Sequence, residues 1–216
     1  MSIGDSLPRE TPPPPDTLPF ELKIESDFDQ IVSPDGLVSI CGFGSLLSER
    51  SARSTFPDLL NFRVAKLRGF RRVFAHVAPI FFERGIAKPE TKEISSLSVE
   101  PCEGETLVVT TFEIQRSEIP SFIEREHEFR KQRDLLSTAR TIWHSQIWLD
   151  DILPCRLYLR HCVLAAKNLS DTAYDNFLDH TFLGDRKTTI RQYLATSGSG
   201  IMEEEPPEQL KYRYGG

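Results

Sequence analysis

The chain has 216 residues, 39% of them apolar and 27% charged, with a formal charge of −6. That is enough for one large domain or two small ones, with the composition of an ordinary soluble globular protein. Lys and Arg are scattered among more numerous Asp and Glu, which excludes a basic nucleic-acid-binding domain, and no apolar run approaches the ~18 residues that a membrane helix needs. The N-terminus lacks the charged-then-apolar order of a signal peptide and the Arg-rich bias of a transit peptide. Cys41, Cys102, Cys155 and Cys162 form no C-x-x-C pair, and Cys41 and Cys162 sit inside apolar runs. Each reads as a buried small hydrophobe in a reducing compartment, with a cytoplasmic location as the default. The five histidines have no zinc spacing, so no metal is assigned.

Residues 1–19 read as a disordered, Pro-rich leader, since Met1 to Phe20 hold six of the fifteen prolines. A single domain is expected over 20–196, and a loose polar tail over 197–216. Pro34-Asp35-Gly36 is a turn signal that launches the apolar strand Leu37-Val38-Ser39-Ile40-Cys41. Gly42-Phe43-Gly44-Ser45-Leu46 then bends the chain into a helix start, with Ser48 to Arg53 as about a turn and a half of helix. Phe62–Leu67 and Arg71–Val77 are strand-like and joined through Arg68-Gly69-Phe70, as a hairpin or one bulged strand. The patch Arg68 to Arg72 reads as the solvated face of that strand pair. Glu93–Val99 and Glu105–Ile114 follow as two strands around the turn Glu100–Gly104, the second buried on both faces at Leu107–Phe112.

A helix is expected next, capped by Ser117, with Pro120 in its first turn and a stripe of Ile119, Phe122, Ile123 and Phe129. Residues 131–141 read as loop and Ile142–Leu149 as a strand. Arg156–Ala166 alternates around Leu157, Leu159, His161 and Val163, which predicts another strand. Two closing helices are expected. Ser170 caps the first, which Gly184 ends; Asp185 caps the second, with Ile190 and Leu194 inward. Strands first and most helices later make the class α+β, with a mixed or antiparallel sheet.

Three features carry chemistry. Glycine at 42 and 44 lets a ligand approach the backbone, and a helix start leaves N–H groups unpaired, so the turn suits a carboxylate or phosphate. Alone, it is equally a tight turn with no ligand. Leu47 stands where a dinucleotide fingerprint needs its third glycine, which argues against a nucleotide-binding domain. Glu124, Glu126 and Glu128 form an acidic cluster, at least two of which belong on a solvated helix face. A carboxyl enclosed in a pocket has its pKa raised and can trade protons near pH 7. Tyr158 is the third feature; on its own it reads as a half-buried strand tyrosine. Ser45 is a poor nucleophile, with no histidine placed to activate it.

Phe43-Gly44-Ser45-Leu46 after an apolar strand resembles the Tyr-Gly-Ser-Leu loop of the γ-glutamylcyclotransferase-like family. Ala65 to Phe74 is similar to that family's stretch from an apolar strand through Leu-x-Gly-Tyr to an aromatic. Phe122-Ile123-Glu124-Arg125-Glu126 resembles its Leu-Asp-x-x-Glu segment, with Arg before the last Glu as in the ChaC-type branch. Tyr158 to Lys167, with Leu169-Ser170 and Tyr174, resembles its closing strand and helix. The likeness runs in order over residues 37–182.

The resemblance implies an α+β domain whose mixed, barrel-like β-sheet is flanked by helices. It also implies cyclisation of a γ-glutamyl group to 5-oxoproline with release of the attached amine, without metal or cofactor. By position, Glu126 matches the general acid/base, Phe43, Gly44, Ser45 and Leu46 match the substrate-holding loop, and Tyr158 matches a pocket tyrosine. The implied partner is a small γ-glutamyl compound, with no nucleic acid or membrane. Three residues depart from the family pattern: Ile123 for Asp, His127 for Gly or Lys, and Ala165 for Gly. They motivate the alternative of a non-catalytic γ-glutamyl or small-anion binding module on the same fold.

Overall fold

The computed structural model describes residues 22, 24–130 and 150–214, without the side chains of 127–130. The expectations for the leader 1–19, the loop 131–141, the strand Ile142–Leu149 and the side chains of Phe129 and Glu128 lie outside what is described.

Strand β1 (Leu37–Gly42) follows a tight turn at Gly36, whose φ of +77° suits glycine. A 3-10 turn over Ser45–Leu47 leads into α1 (Glu49–Arg53), capped by the Ser48 hydroxyl, which accepts the Ser51 N–H at 3.2 Å. The next segments are one long strand each. β2 spans Leu60–Val77, and β3 spans Glu93–Gln115, with α2 (Pro79–Glu83) between them. They pair antiparallel nearly end to end.

The Gly69 region is therefore a bulge and not a hairpin, and Glu100–Gly104 lies inside β3 and does not divide two strands. Phe70 pairs with Pro101 while Arg68 pairs with Thr106, so residues 102–105 of β3 are accommodated opposite Gly69 alone. Gly69 and Gly104 both take positive φ there. Such irregularities bend a ribbon and increase its twist without ending it.

Helix α3 (Ile119–Arg130) follows a short 3-10 turn, in which the Glu118 carboxylate accepts the Gln115 N–H at 3.0 Å. That contact takes the capping role expected of Ser117. Strand β4 is Leu153–Pro154 and α4 is Arg156–Leu169. The predicted strand at 156–166 is thus a helix. Its alternating residues were half of a fuller pattern, because Tyr158, Cys162, Ala165 and Ala166 are buried as well. The less buried positions Arg156, Arg160, Leu164 and Lys167 recur at helical spacing, so the 3.6-residue pattern is present and the alternation at 157–163 was one subset of it. Of the cysteines, Cys155 and Cys162 are buried as expected, whereas Cys41 is exposed and Cys102 only half-buried. Ser170 ends α4 and caps α5 (Asp171–Asp179), its hydroxyl accepting the Ala173 N–H at 3.0 Å.

α5 gives way to β5 (Thr181–Leu183) before Gly184 is reached. Asp185 accepts N–H groups of Lys187 and Thr188 in the loop, and Thr189 caps α6 (Ile190–Leu194). The last element, α7 (Lys211–Tyr214), belongs to the segment expected to be loose. Ile201, Leu210 and Tyr214 of that segment are buried in the main core, because an apolar residue recurs among its charges at each short helical turn.

The sheet order is β1-β3-β2-β5, with β4 parallel on the free edge of β3 and β5 parallel to β2. The class is α+β, with a mixed sheet flanked by helices; the hydrogen-bonded path does not close on itself. Two apolar clusters lie against it. The larger joins α2, α4, α5 and the C-terminal residues around Phe74, Phe81, Leu159 and Phe177. The smaller joins β1, α1 and α3 around Phe28, Phe56, Phe112 and Ile119, with Phe122 edge-on to Phe28 at 5.8 Å. Among the described residues no helix is long and apolar enough to cross a membrane.

Tyr214 is packed in the core and its hydroxyl accepts from Arg84 at 2.7 Å. Replacing it with Ala should cost about 3 kcal/mol in denaturant unfolding, as for a buried aromatic. A loosely attached tail would leave the unfolding midpoint unchanged.

Candidate functional site

The turn after β1 is fixed from below. A Cβ on Gly42 would lie 2.5 Å from Thr110 Oγ1 and 2.8 Å from the Leu46 carbonyl oxygen, so only glycine fits. The buried Thr110 hydroxyl donates to the Leu46 carbonyl at 2.8 Å, with the Gly42 carbonyl at 3.3 Å. Leu46 enters the smaller cluster and Leu47 the larger, which pins the turn between the two cores. The 3-10 turn uses the Leu47 N–H on Gly44 and the Ser48 N–H on Ser45. The N–H groups of Gly44, Ser45 and Leu46 are left without a protein acceptor among the described residues. The helix start anticipated at this point is a single 3-10 turn, so its capacity for an anion lies in these donors rather than in a helix dipole.

Tyr158 stands in the first turn of α4, not on a strand. Its ring packs on Phe81 at 5.1 Å and edge-on to Phe74 at 6.3 Å. Its hydroxyl lies 3.4 Å from where a Cβ on Gly44 would be, and it is hydrogen-bonded to Cys162 one turn on. Burial pushes its pKa well above the usual tyrosine value, so it is a neutral hydrogen-bonding group. The charge of Glu126 raises that pKa too, and the charge of Arg125 opposes it. The phenol is thus close enough to feel both neighbours on α3. Glu126 is half-buried and Glu124 is exposed.

Two arginines that sequence reasoning did not single out complete the arrangement. Arg125, 8% exposed, donates to Thr55 Oγ1 at 2.5 Å and to Ser45 Oγ at 3.2 Å, tying α3 to the glycine turn. Arg72 was read as part of a solvated strand face. Arg68 is indeed exposed, but Arg72 is fully buried, and its Nε donates to the Phe43 carbonyl at 2.6 Å. The signal for Arg72 was present in its neighbours: Val73, Phe74 and Ala75 form a continuous apolar run, as in a strand covered on both faces. Arg125 sits among charged residues, and only the resemblance marked it, as the Arg before Glu126, without giving it a role.

The Ile123 departure has a packing explanation, since Ile123 lies with Phe122 against the smaller cluster and helps seat α3. Among the described residues no group of three or more His, Cys, Asp or Glu could hold a metal ion.

His161, one turn after Tyr158, is 5% exposed, and its Nδ1 has no hydrogen-bond partner among the described residues. Its ring meets Tyr214 edge-on at 5.8 Å. Burial, and then the charges of Arg125, Arg213 and Arg160, hold its pKa down to about 4. The fold keeps this ring neutral, whereas the unfolded chain takes up a proton near pH 6.5. Stability is therefore fully present above pH 6.5 and is lost as pH falls towards 4, by on the order of 3 kcal/mol. His161→Gln should flatten that part of the urea-unfolding profile; an unchanged slope would contradict the assignment.

No protein-family model matches the chain, and no curated protein matches it. Solved structures are similar to part of it, two of them as follows. One is a Homo sapiens protein described as uncharacterized, 20% identical with a TM-score of 0.33, over 42% of this chain and 50% of that one. The other is a γ-glutamyl cyclotransferase, 18% identical with a TM-score of 0.31, over 40% of this chain and 48% of that one. The chain spans about half the length of the solved structures it matches.

Proposed function

We propose that the chain is an enzyme of γ-glutamylcyclotransferase type, converting the γ-glutamyl group of a small peptide or amine to 5-oxoproline and releasing the amine. The observation that carries this reading is the position of Tyr158. Its hydroxyl borders the Gly44 backbone, and Arg125, the neighbour of Glu126 on α3, donates to Ser45 Oγ at 3.2 Å, so the turn, Tyr158 and the helix that carries the acid meet in one locality. The ordered resemblance over residues 37–182 supplies the reaction.

In this reading the substrate folds so that its α-amine faces its own γ-carbonyl. Both reacting groups belong to one molecule, and holding that conformer removes much of the entropic barrier. The Glu126 carboxylate takes a proton from the α-ammonium. The free amine attacks the γ-carbonyl carbon, forming the ring C–N bond, and negative charge moves onto the carbonyl oxygen. The unpaired N–H groups of the turn are suited to that charge. The old C–N bond then breaks, and Glu126 returns its proton to the leaving amine. Tyr158, kept neutral by burial, orients the substrate by hydrogen bonding. Phe43 closes one side, being packed on the larger cluster while still partly exposed. A cytoplasmic location suits a thiol-containing chain with this activity and is part of the same proposal.

The second reading, a non-catalytic γ-glutamyl or small-anion binding module, draws on Ile123. An apolar residue three positions before Glu126, engaged in core packing, removes a polar neighbour that would otherwise support the acid. The two readings part on turnover.

Glu126→Gln should lower 5-oxoproline release by about 100- to 10,000-fold, the contribution typical of a general acid/base, with unchanged thermal unfolding. Turnover retained in that variant would reject the assignment of Glu126. Ligand binding without turnover in the parent chain would favour the second reading.

A further inference from the structure

Arg72 is a fully buried cation whose hydrogen-bond partners are all neutral. Nε donates to the Phe43 carbonyl at 2.6 Å, one Nη to Asn176 Oδ1 at 3.2 Å, and the other to the Val108 carbonyl. Among the described residues no carboxylate bonds to it. The Phe177 ring covers one face at 5.2 Å. Desolvation holds its pKa down to about 10, which leaves it charged at pH 7. A buried charge is costly unless an opposite charge accompanies it. Here the charge sits directly behind the turn whose Gly44, Ser45 and Leu46 N–H groups lack acceptors among the described residues.

The link is covalent. The Phe43 carbonyl and the Gly44 N–H are the two ends of one peptide group. A guanidinium pulling on that carbonyl polarises the peptide and makes its N–H a stronger donor. Asn176 holds the guanidinium in place, because its side-chain oxygen also accepts the Val108 N–H at 2.7 Å and its amide donates to the Thr106 carbonyl at 2.9 Å. Three acceptors in fixed directions match the planar fork of Arg, which a Lys ammonium does not reproduce.

We propose that Arg72 is a positioning residue of this site, whose unbalanced charge, relayed through the Phe43–Gly44 peptide, draws the α-carboxylate of the γ-glutamyl group to the turn; the proposal rests on the cyclotransferase reading above. The ligand carboxylate is then the missing counter-charge. Compounds that lack it bind poorly even where the rest of the chain is identical.

The test is calorimetric binding to the Glu126→Gln protein, which holds ligand without consuming it. The probes are γ-glutamyl-alanine and its decarboxylated analogue 4-aminobutyryl-alanine. The protein should prefer the first. Adding Asn176→Asp places a carboxylate against the guanidinium. Affinity for γ-glutamyl-alanine should then fall about tenfold, as for loss of one charge-assisted contact, while affinity for the analogue stays the same. Arg72→Lys should keep the preference for the carboxylate at reduced affinity, and Arg72→Gln should lose it, which preserves the comparison if Asn176→Asp does not fold. Equal losses for both probes in every variant would make Arg72 purely structural and overturn the proposal alone. Binding of neither probe to the Glu126→Gln protein would overturn it together with the cyclotransferase reading.

Discussion

The backbone from Gly42 to Leu47 is held from two sides at once. Leu46 and Leu47, adjacent in sequence, point into different apolar clusters, and each is almost fully buried. Moving the turn either way would withdraw one of them, at a cost of about 2 kcal/mol for a side chain of that size. Thr110 adds a hydrogen bond from β3, and the absent Cβ at Gly42 lets that strand approach. A loop pinned in this way can leave three N–H groups unpaired without collapsing onto them. The rigidity comes from ordinary packing, and the unpaired donors are its by-product.

The rest of the site is attached to this turn by arginine. Arg125 reaches from α3 to Ser45, and Arg72 reaches from β2 to Phe43. One lies towards Glu126 and the other behind the peptide that carries the Gly44 N–H. Tyr158 and Cys162 complete the wall on α4 as neutral groups, the thiol pushed up to about 12 by burial. The turn is therefore flanked by Arg125, Arg72 and the neutral Tyr158, a balance suited to a ligand that carries its own carboxylate. The chemistry proposed makes modest demands on such a site: one proton carrier, a few donors and a fixed substrate conformer.

Much of the frame was legible in the sequence. The turn chemistry at 34–36, the strand 37–41 and the helix capped by Ser170 follow from glycine, proline and capping rules that act over a few residues, and the bulge at Gly69 was one of the two readings its glycine allowed. The misread element, α4, shows the limit of periodicity. Packed on Phe74, Phe81 and the C-terminal segment together, it buries eight of its fourteen residues, and Leu157, Leu159, His161 and Val163 among them mimic alternation although Arg156, Arg160 and Lys167 recur at helical spacing. The packed C-terminal segment was illegible for a related reason: Ile201, Leu210 and Tyr214 are isolated among charges, and only tertiary contact reveals their anchors. Of the candidate residues, the turn was visible from its glycines, and Glu126 only through the resemblance. Arg125 was marked only by the resemblance and without a role, and Arg72 only by its apolar neighbours, because a long cation by itself gives the same local signal buried or solvated.

The most direct test is to incubate the purified chain with γ-glutamyl-alanine, glutathione and γ-glutamyl-lysine, each beside its N-acetylated counterpart, and to measure 5-oxoproline and free amine. If a substrate amine attacks its own carbonyl in this site, at least one parent compound gives both products in equal amounts. Acetylation, which blocks that amine, then stops amine release. Release of amine from the acetylated compounds at the same rate, or no 5-oxoproline from any of the three, would contradict the account.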